Sequence, residues 1–471
     1  MCLRQKLPDC TKFKDLLMDR YSYLVGKYNL PAPRYTSYPT MPYWDAQTYN
    51  EVRWKETVKT AFDESNAASG ISLYVHLPFC ENLCTYCGCN TRITKNHSVE
   101  EPYINALLKE WVMYKAVLPD LPVIREIHLG GGTPTFFSPE NLDKLLSGLL
   151  AGSKKHAEAE FSFEAHPANT TPVHLQTLYD HGFRRLSLGI QDFDPRVQFI
   201  INRHQTFEQV FDVTAAARSI GYTSVNYDLI YGLPLQNLPG LIDTMNVVNG
   251  LKPDRIAFYS YAHVPWIKPG QRRFTEADLP APELKGKLHD VGRNLLTSYG
   301  YQEIGMDHFA LPGDELLEAV RRGVLHRNFM GYTNHHARLL IGLGVSSISD
   351  SWYGFSQNVK TVEEYLSKVA AGEFPLLKGH VLSEEDLLLR RLILNTMCKG
   401  KTSWEKQENL PVIQAALQRL SGLAEDGLVK LTAGGLQVTG LGNLFLRNIC
   451  LCLDARFWAA QPTTQLFSMA V

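Results

Sequence analysis

Between residues 71 and 263 the chain repeats one pattern, a short β-like run followed by a stretch of helical character. The runs are ISLYVHLPF (71–79), EIHLGGG (126–132), EFSFEAHP (160–167), RLSLGIQ (185–191), SVNYDLIYG (224–232) and RIAFYSYAH (255–263). PYINALLKEWVMYKAV separates the first two and PELKGKLHDVGRNLLTSYG follows the last. Strand, crossover helix, strand predicts a parallel sheet. Six such units fit an α/β fold, a partial (β/α)6, TIM-like barrel.

Alternation within the runs sorts their side chains. Leu73, Val75 and Leu77 fall on one face and Ser72, Tyr74 and His76 on the other. Phe161 and Phe163 oppose Ser162 and Glu164; Leu186, Leu188 and Ile190 oppose Ser187, Gly189 and Gln191; Val225, Tyr227 and Leu229 oppose Asn226 and Asp228. A filled barrel interior would carry branched apolar residues. A polar inner face implies a lumen that holds a polar ligand, with its site at the C-terminal rim.

The sequence divides into an N-terminal helix (Lys12–Lys27) and Pro-rich extended arm over 1–48, a barrel over 49–365, and a mostly helical domain over 366–471. In the last, LSEEDLLLRRLILNTM, PVIQAALQRLSGLAEDG and LGNLFLRNICLCLD read as helices and LVKLTAGGLQVTG as a hairpin. Helix–helix–hairpin is reminiscent of a DNA-binding winged helix. No dense basic face accompanies it, and 47 Lys and Arg against 48 Asp and Glu give a net charge of −1, without the basic excess of a nucleic-acid binder. No apolar run reaches the roughly 18 residues of a membrane span. The charged N-terminus lacks the apolar segment of a secretory signal, so a cytoplasmic protein with no membrane or nucleic-acid partner is expected.

Cys80, Cys84, Cys87 and Cys89 crowd the loop after the first run, out of nine cysteines in the chain. Three close thiolates can hold a [4Fe–4S] cluster and leave one iron open. Zinc is the alternative, but its usual sites use two separated cysteine pairs, and Cys450 and Cys452 lie one residue apart in a helical stretch. Unligated cysteines are the third reading. Gly130–Gly131–Gly132–Thr133–Pro134 ends the second run, where glycines permit close approach of backbone to a ligand or simply a tight turn. Glu164, Gln191 and Asp228 each close an inward strand face and suit a ligand's amine or hydroxyl groups, or hydrogen bonds within the barrel. Arg203 could grip a carboxylate. His326, His335 and His336 raise a metal site, though no carboxylate motif accompanies them.

At these residues the chain resembles a known group. CxxxCxxC after the first strand is that of the radical S-adenosylmethionine (SAM) enzymes. YVHLPFCENLCTYCGCN is similar to the cluster loop of the oxygen-independent coproporphyrinogen III oxidase family. The likeness runs nearly end to end, through KYNLPAPRYTSYPT, HLGGGTPT, FEAHP, RLSLGIQDFD, INRHQ, YDLIYGLP, YAHVPWIKPGQR, GMDHFALP, GVLHRNFMGYT, IGLGVSSIS and RNICLCLDA. It implies a [4Fe–4S] cluster on Cys80, Cys84 and Cys87, with Cys89 outside the ligand set, and two molecules of S-adenosyl-L-methionine. Tyr74, Gly131, Glu164 and Ile348 would hold the first; Tyr86, Gly132, Thr133, Gln191, Arg203, Asp228 and Ala262 would contact the second. The implied activity belongs to haem biosynthesis: 5′-deoxyadenosyl radicals initiate oxidative decarboxylation of two coproporphyrinogen III propionates to vinyl groups. A monomer served by a separate electron donor is expected, with Arg34 facing a propionate and the arm acting as a lid. The alternatives are a haem-chaperone-like binding protein, or a radical SAM enzyme that degrades or methylates haem. GYTNHH, where the family more often has GYTTQ, and Met330, where some members carry Gln, depart from the pattern and are expected near the second nucleotide and the substrate.

Overall fold

The computed structural model describes residues 20 and 23–470. They divide into two compact units, Trp44–Ser383 on one hand, and the described residues up to Tyr43 with those from Glu384 onward on the other.

The larger unit is built on a twelve-stranded sheet. The six runs form β1 (Ile71–Leu77), β2 (Val123–Gly131), β3 (Lys154–Ala165), β4 (Phe183–Gln191), β5 (Ser224–Tyr231) and β6 (Arg255–Ser260). Each pairs in parallel with the next. Antiparallel β7 (Gln302–Gly305) and β8 (His308–Ala310) continue beyond β6. On the other side β9 (Leu340–Leu343) runs parallel to β1, followed by antiparallel β10 (Ile348–Asp350), β11 (Gly354–Asn358) and β12 (Leu376–Val381). The sequence pattern does not foretell β9. Its run is short, a glycine interrupts it, and no crossover helix follows it.

Helices α1 (Glu51–Ser69), α2 (Glu100–Val117), α3 (Pro139–Leu150), α4 (Pro172–Asp180), α5 (Pro195–Ile200), α6 (Phe207–Ile220), α7 (Leu238–Leu251) and α8 (Pro282–Ser298) accompany the parallel strands, with α9 (Glu315–Arg322) and α10 (Val362–Ala371) further on. Ser138, Thr171 and Thr206 cap α3, α4 and α6 by accepting a backbone N–H of the first turn. Pro139 and Pro172 occupy the first helical position, where no N–H is missed. The apolar strand face, including Leu73, Val75, Leu129, Phe163, Leu188 and Val225, shares one core with Trp54, Trp111, Leu145, Leu175, Val210 and Met245 of the helices. Each such burial contributes about 1.5–3 kcal/mol and fixes the register. A slip of one residue would drive Glu164 and Asp228 into that core.

The opposite strand face is polar and tied across strands. Ser72 donates to Glu126 at 2.9 Å, His128 pairs with Ser162 at 2.8 Å, Arg185 donates to Glu160 at 2.8 Å, and Ser187 donates to Asp228 at 3.0 Å. The lumen inferred from alternation is this face.

The smaller unit contains α11 (Glu384–Lys399), β13 (Lys401–Ser403), α12 (Pro411–Glu425), β14 (Val429–Thr432), β15 (Gly435–Val438) and α13 (Leu446–Leu453). Its sheet has the order β13–β15–β14; the short β13 is not evident in the sequence. The arm is bound within this unit. The Arg447 guanidinium donates to the carbonyls of Ala32, Pro33, Ser468 and Met469. Asn448 donates to the Tyr28 carbonyl at 2.7 Å, and Tyr35 to Asp454 at 3.1 Å. The expected helix Lys12–Lys27 lies mostly outside the described residues. Among the described residues no helix is long and apolar enough to cross a membrane.

Candidate active site

The cysteine loop leaves β1 at Pro78 and is stitched to the segment Ile200–Asn202 that ends α5. Thr85 donates its N–H to the Ile201 carbonyl at 2.9 Å and its hydroxyl to that of Ile200 at 3.0 Å, and Asn202 donates to the Leu83 carbonyl at 2.8 Å. Three of its four thiols receive a hydrogen bond. Thr133 Oγ1 lies 3.3 Å from Cys80 Sγ, Arg203 Nη1 3.6 Å from Cys84 Sγ, and the Cys89 N–H 3.4 Å from Cys87 Sγ. Burial pushes the Cys80 thiol up to about 11 against the Thr133 bond. Burial also raises Cys84, against the pull of Arg203. Hydrogen bonding from Cys89 holds Cys87 below the ordinary thiol range and leaves Cys89 well above it. Among the described residues, no three His, Cys, Asp or Glu side chains converge as the donors of a metal ion would.

The glycine turn after β2 carries the neighbouring contacts. Gly132 donates to the Leu77 carbonyl at 2.8 Å and Thr133 to that of Phe79 at 3.0 Å. A Cβ on Gly132 would stand 2.6 Å from the Pro78 carbonyl carbon; one on Gly131, at φ +106°, would stand 2.5 Å from the His76 ring. Glycine is required at both positions by close approach, not by turn chemistry alone.

Glu164 accepts the Gly131 N–H at 3.2 Å and faces His128 Nε2 at 3.5 Å. Burial would raise its carboxyl, but these partners hold it below the ordinary value. Asp228 is pushed up to about 6 by burial and by the Glu164 charge. Arg203 is buried and lies on the Gly189 carbonyl, beside Gln191, whose amide crowds the same glycine. Tyr86 and Ala262 are joined by a residue the sequence did not single out. Gln271, 1% exposed, donates to the Tyr86 carbonyl at 3.1 Å and to the Ala262 carbonyl at 3.2 Å. Its only signal was its place in the YAHVPWIKPGQR segment. Tyr74 stacks near His128 and bonds His76 at 3.1 Å. Ile348 stands apart from these contacts. Its carbonyl backs onto Gly342 of β9, the strand partner of Tyr74.

The GYTNHH segment is corrected by the structure. Asn334 donates to Glu160, and His335 Nε2 lies 3.5 Å from Glu126. Glu126 and Glu160 are paired four residues before Gly130 and Glu164 on the same strands, about 13 Å below the rim at the rise of a strand. Asn334 and His335 therefore close the base of the lumen rather than the rim. The three histidines do not gather on one point: His326 and His336 stack at 4.1 Å, while His335 turns to Glu126.

Residues 74–248 match the radical SAM superfamily. The chain is 40% identical to oxygen-independent coproporphyrinogen III oxidase of Escherichia coli, over 95% of this chain and 98% of the relative. It belongs to the oxygen-independent coproporphyrinogen III oxidase family. The Synechocystis member is 37% identical over 95% of this chain and 97% of its own length. The solved coproporphyrinogen III oxidase (HemN) of Escherichia coli, described as a radical SAM enzyme, superposes with a TM-score of 0.84 at 38% identity, covering 90% of this chain and 97% of that one. The partial barrel is thus the radical SAM fold of this family.

Proposed function

We infer that the chain performs the oxygen-independent oxidative decarboxylation of two propionates of coproporphyrinogen III, giving the vinyl groups of protoporphyrinogen IX. The reading is supported by the near full-length likeness to enzymes named oxygen-independent coproporphyrinogen III oxidase. The observation in the site that carries it is the trio of hydrogen-bonded thiols on one loop at the barrel rim. Such donors favour thiolates as ligands and tune what they bind.

Cys80, Cys84 and Cys87 fit a [4Fe–4S] cluster by donor chemistry and would hold it, with one iron left for SAM. When bound, cluster and nucleotide supply the radical that takes a hydrogen atom from a propionate, which then loses carbon dioxide and one electron. The protein orients and shields this chemistry. Ionised Glu164 is placed to take an ammonium group, beside Tyr74 and Gly131, with Ile348 on the flanking strand; this is the first nucleotide site. Gly132, Thr133, Gln191, Arg203 and Asp228, with Tyr86 and Ala262 on the segments that Gln271 joins, form the second. We further propose a cytoplasmic monomer served by a separate one-electron donor.

The test is anaerobic incubation of reconstituted protein with coproporphyrinogen III, SAM and a reductant. Protoporphyrin after oxidation and 5′-deoxyadenosine are expected, and Cys84→Ala should abolish both. Haem binding without turnover, or a methylated or ring-opened product, would overturn the reading.

A further inference from the structure

Of the residues assigned to the second nucleotide, Gly132, Thr133, Gln191, Asp228 and Ala262 belong to the C-terminal ends of β2, β4, β5 and β6 or follow them directly, while Tyr86 comes from the cysteine loop and Arg203 from beyond α5. The end of β3, which lies between β2 and β4 in the sheet, gives Glu164 to the first nucleotide and leaves a gap in that arc. His166 stands in the gap. It follows Glu164 by two residues and so shares its inward direction.

The ring is fixed in place. His166 Nδ1 accepts the Ala168 N–H at 3.1 Å, so the proton of the neutral ring sits on Nε2. The His166 carbonyl accepts the Thr170 hydroxyl at 2.9 Å, and Thr170 pairs with Thr135 of the glycine-turn segment at 3.1 Å. No protein group among the described residues pairs with Nε2. Burial, with the Arg203 charge, pushes the imidazole down to about 2. The result is a neutral, half-buried N–H donor within reach of the Arg203 charge, on the strand whose Ala165 pairs with Leu188 just before Gly189, the residue that Arg203 holds; such a pair suits an anionic oxygen.

We propose that His166 donates from Nε2 to the carboxylate of the second SAM, alongside Arg203. This rests on the two-nucleotide reading above. The first nucleotide is served by Glu164 on the same strand and does not need it.

Calorimetric titration of the oxidised, cluster-loaded protein with SAM tests both ideas separately. Two sites are expected in the unaltered protein, the cluster-bound one being that which disappears in cluster-free protein. His166→Asn keeps an acceptor for the Ala168 N–H but is too short to reach further. It should weaken the second site about ten-fold or more and leave the cluster-bound site unchanged. His166→Gln, which returns an amide donor near the position of Nε2, should recover much of the loss. Two sites of unaltered affinity in His166→Asn would overturn the proposal while sparing the two-nucleotide reading. A single site in the unaltered protein would overturn that reading and the proposal with it. Should His166→Asn lose cluster iron as well, His166→Gln decides: iron retained with the second site lost contradicts the assignment, and both retained supports it.

Discussion

Arg203 and Cys84 are joined across two loops: Nη1 points at the sulfur from 3.6 Å while Nε donates to the Gly189 carbonyl at 2.9 Å. One buried cation thus ties the cysteine loop to the end of β4. It also offers charge to an anion at the rim.

Arg203→Met should therefore fail in two ways. Leaving the Gly189 carbonyl unpaired costs about 1–3 kcal/mol. Removing a hydrogen bond to a cluster sulfur should make the cluster harder to reduce. Differential scanning fluorimetry reads the first and a redox titration followed by electron paramagnetic resonance the second, with product formation down at least about ten-fold. An unchanged potential would show that Arg203 does not act on the sulfur.

Two glycines of the site should respond oppositely to alanine. Gly132→Ala brings a Cβ to 2.6 Å from the Pro78 carbonyl carbon, whereas Gly88 has nothing within 4 Å of a built Cβ. The first should displace the loop entry and lower iron and sulfide content; the second should leave both near the unaltered level. Elemental analysis after reconstitution checks this.

These contrasts bear on what a sequence discloses. The six strands and the inward polar residues were legible because side-chain alternation has a period of two and one face meets helices. The strand Leu340–Leu343 was not, since four residues with a glycine carry no period. Glu164 and Asp228 could be nominated from their inward places on the strands and Arg203 from its charge in the segment after the fourth run, but Gln271 could not. Its role depends on bridging two backbone carbonyls that lie far apart in sequence. Asn334 and His335 were misplaced for the same reason. Adjacency to a family motif puts a residue near the rim only if the chain between does not turn downward, and here it does.

Asp228 carries a pH signature. Its native value of about 6 lies above the ordinary 3.8, so the folded protein holds this proton more tightly than the unfolded chain. Stability from this group declines as pH rises from about 4 to about 6 and is level beyond. Asp228→Asn should stabilise the ligand-free protein above pH 6 by about 1–2 kcal/mol while weakening SAM binding at the proposed second site. Urea denaturation at pH 5 and 7.5 checks the sign, and the gain should be smaller at pH 5.

At the lumen base, burial pushes Glu126 up but the nearby His335 charge, the Ser72 hydrogen bond and the His128 charge hold it below the ordinary 4.5. A depressed carboxylate contributes stability above its unfolded value, lost as pH falls through the native one. His335→Ala should cost about 1–3 kcal/mol at pH 7 and shrink that acid-side loss. A variant as stable as the parent at pH 7 would mean the pair contributes nothing.

The most direct measurement is iron and sulfide content, with electron paramagnetic resonance after reduction, in four single alanine variants. Cys80→Ala, Cys84→Ala and Cys87→Ala should each lose the iron–sulfur signal, while Cys89→Ala, whose thiol lacks a donor in the structure, should retain one that changes when SAM is added. A signal surviving loss of any of the first three, or vanishing only with Cys89, would contradict the assignment of the three hydrogen-bonded thiols.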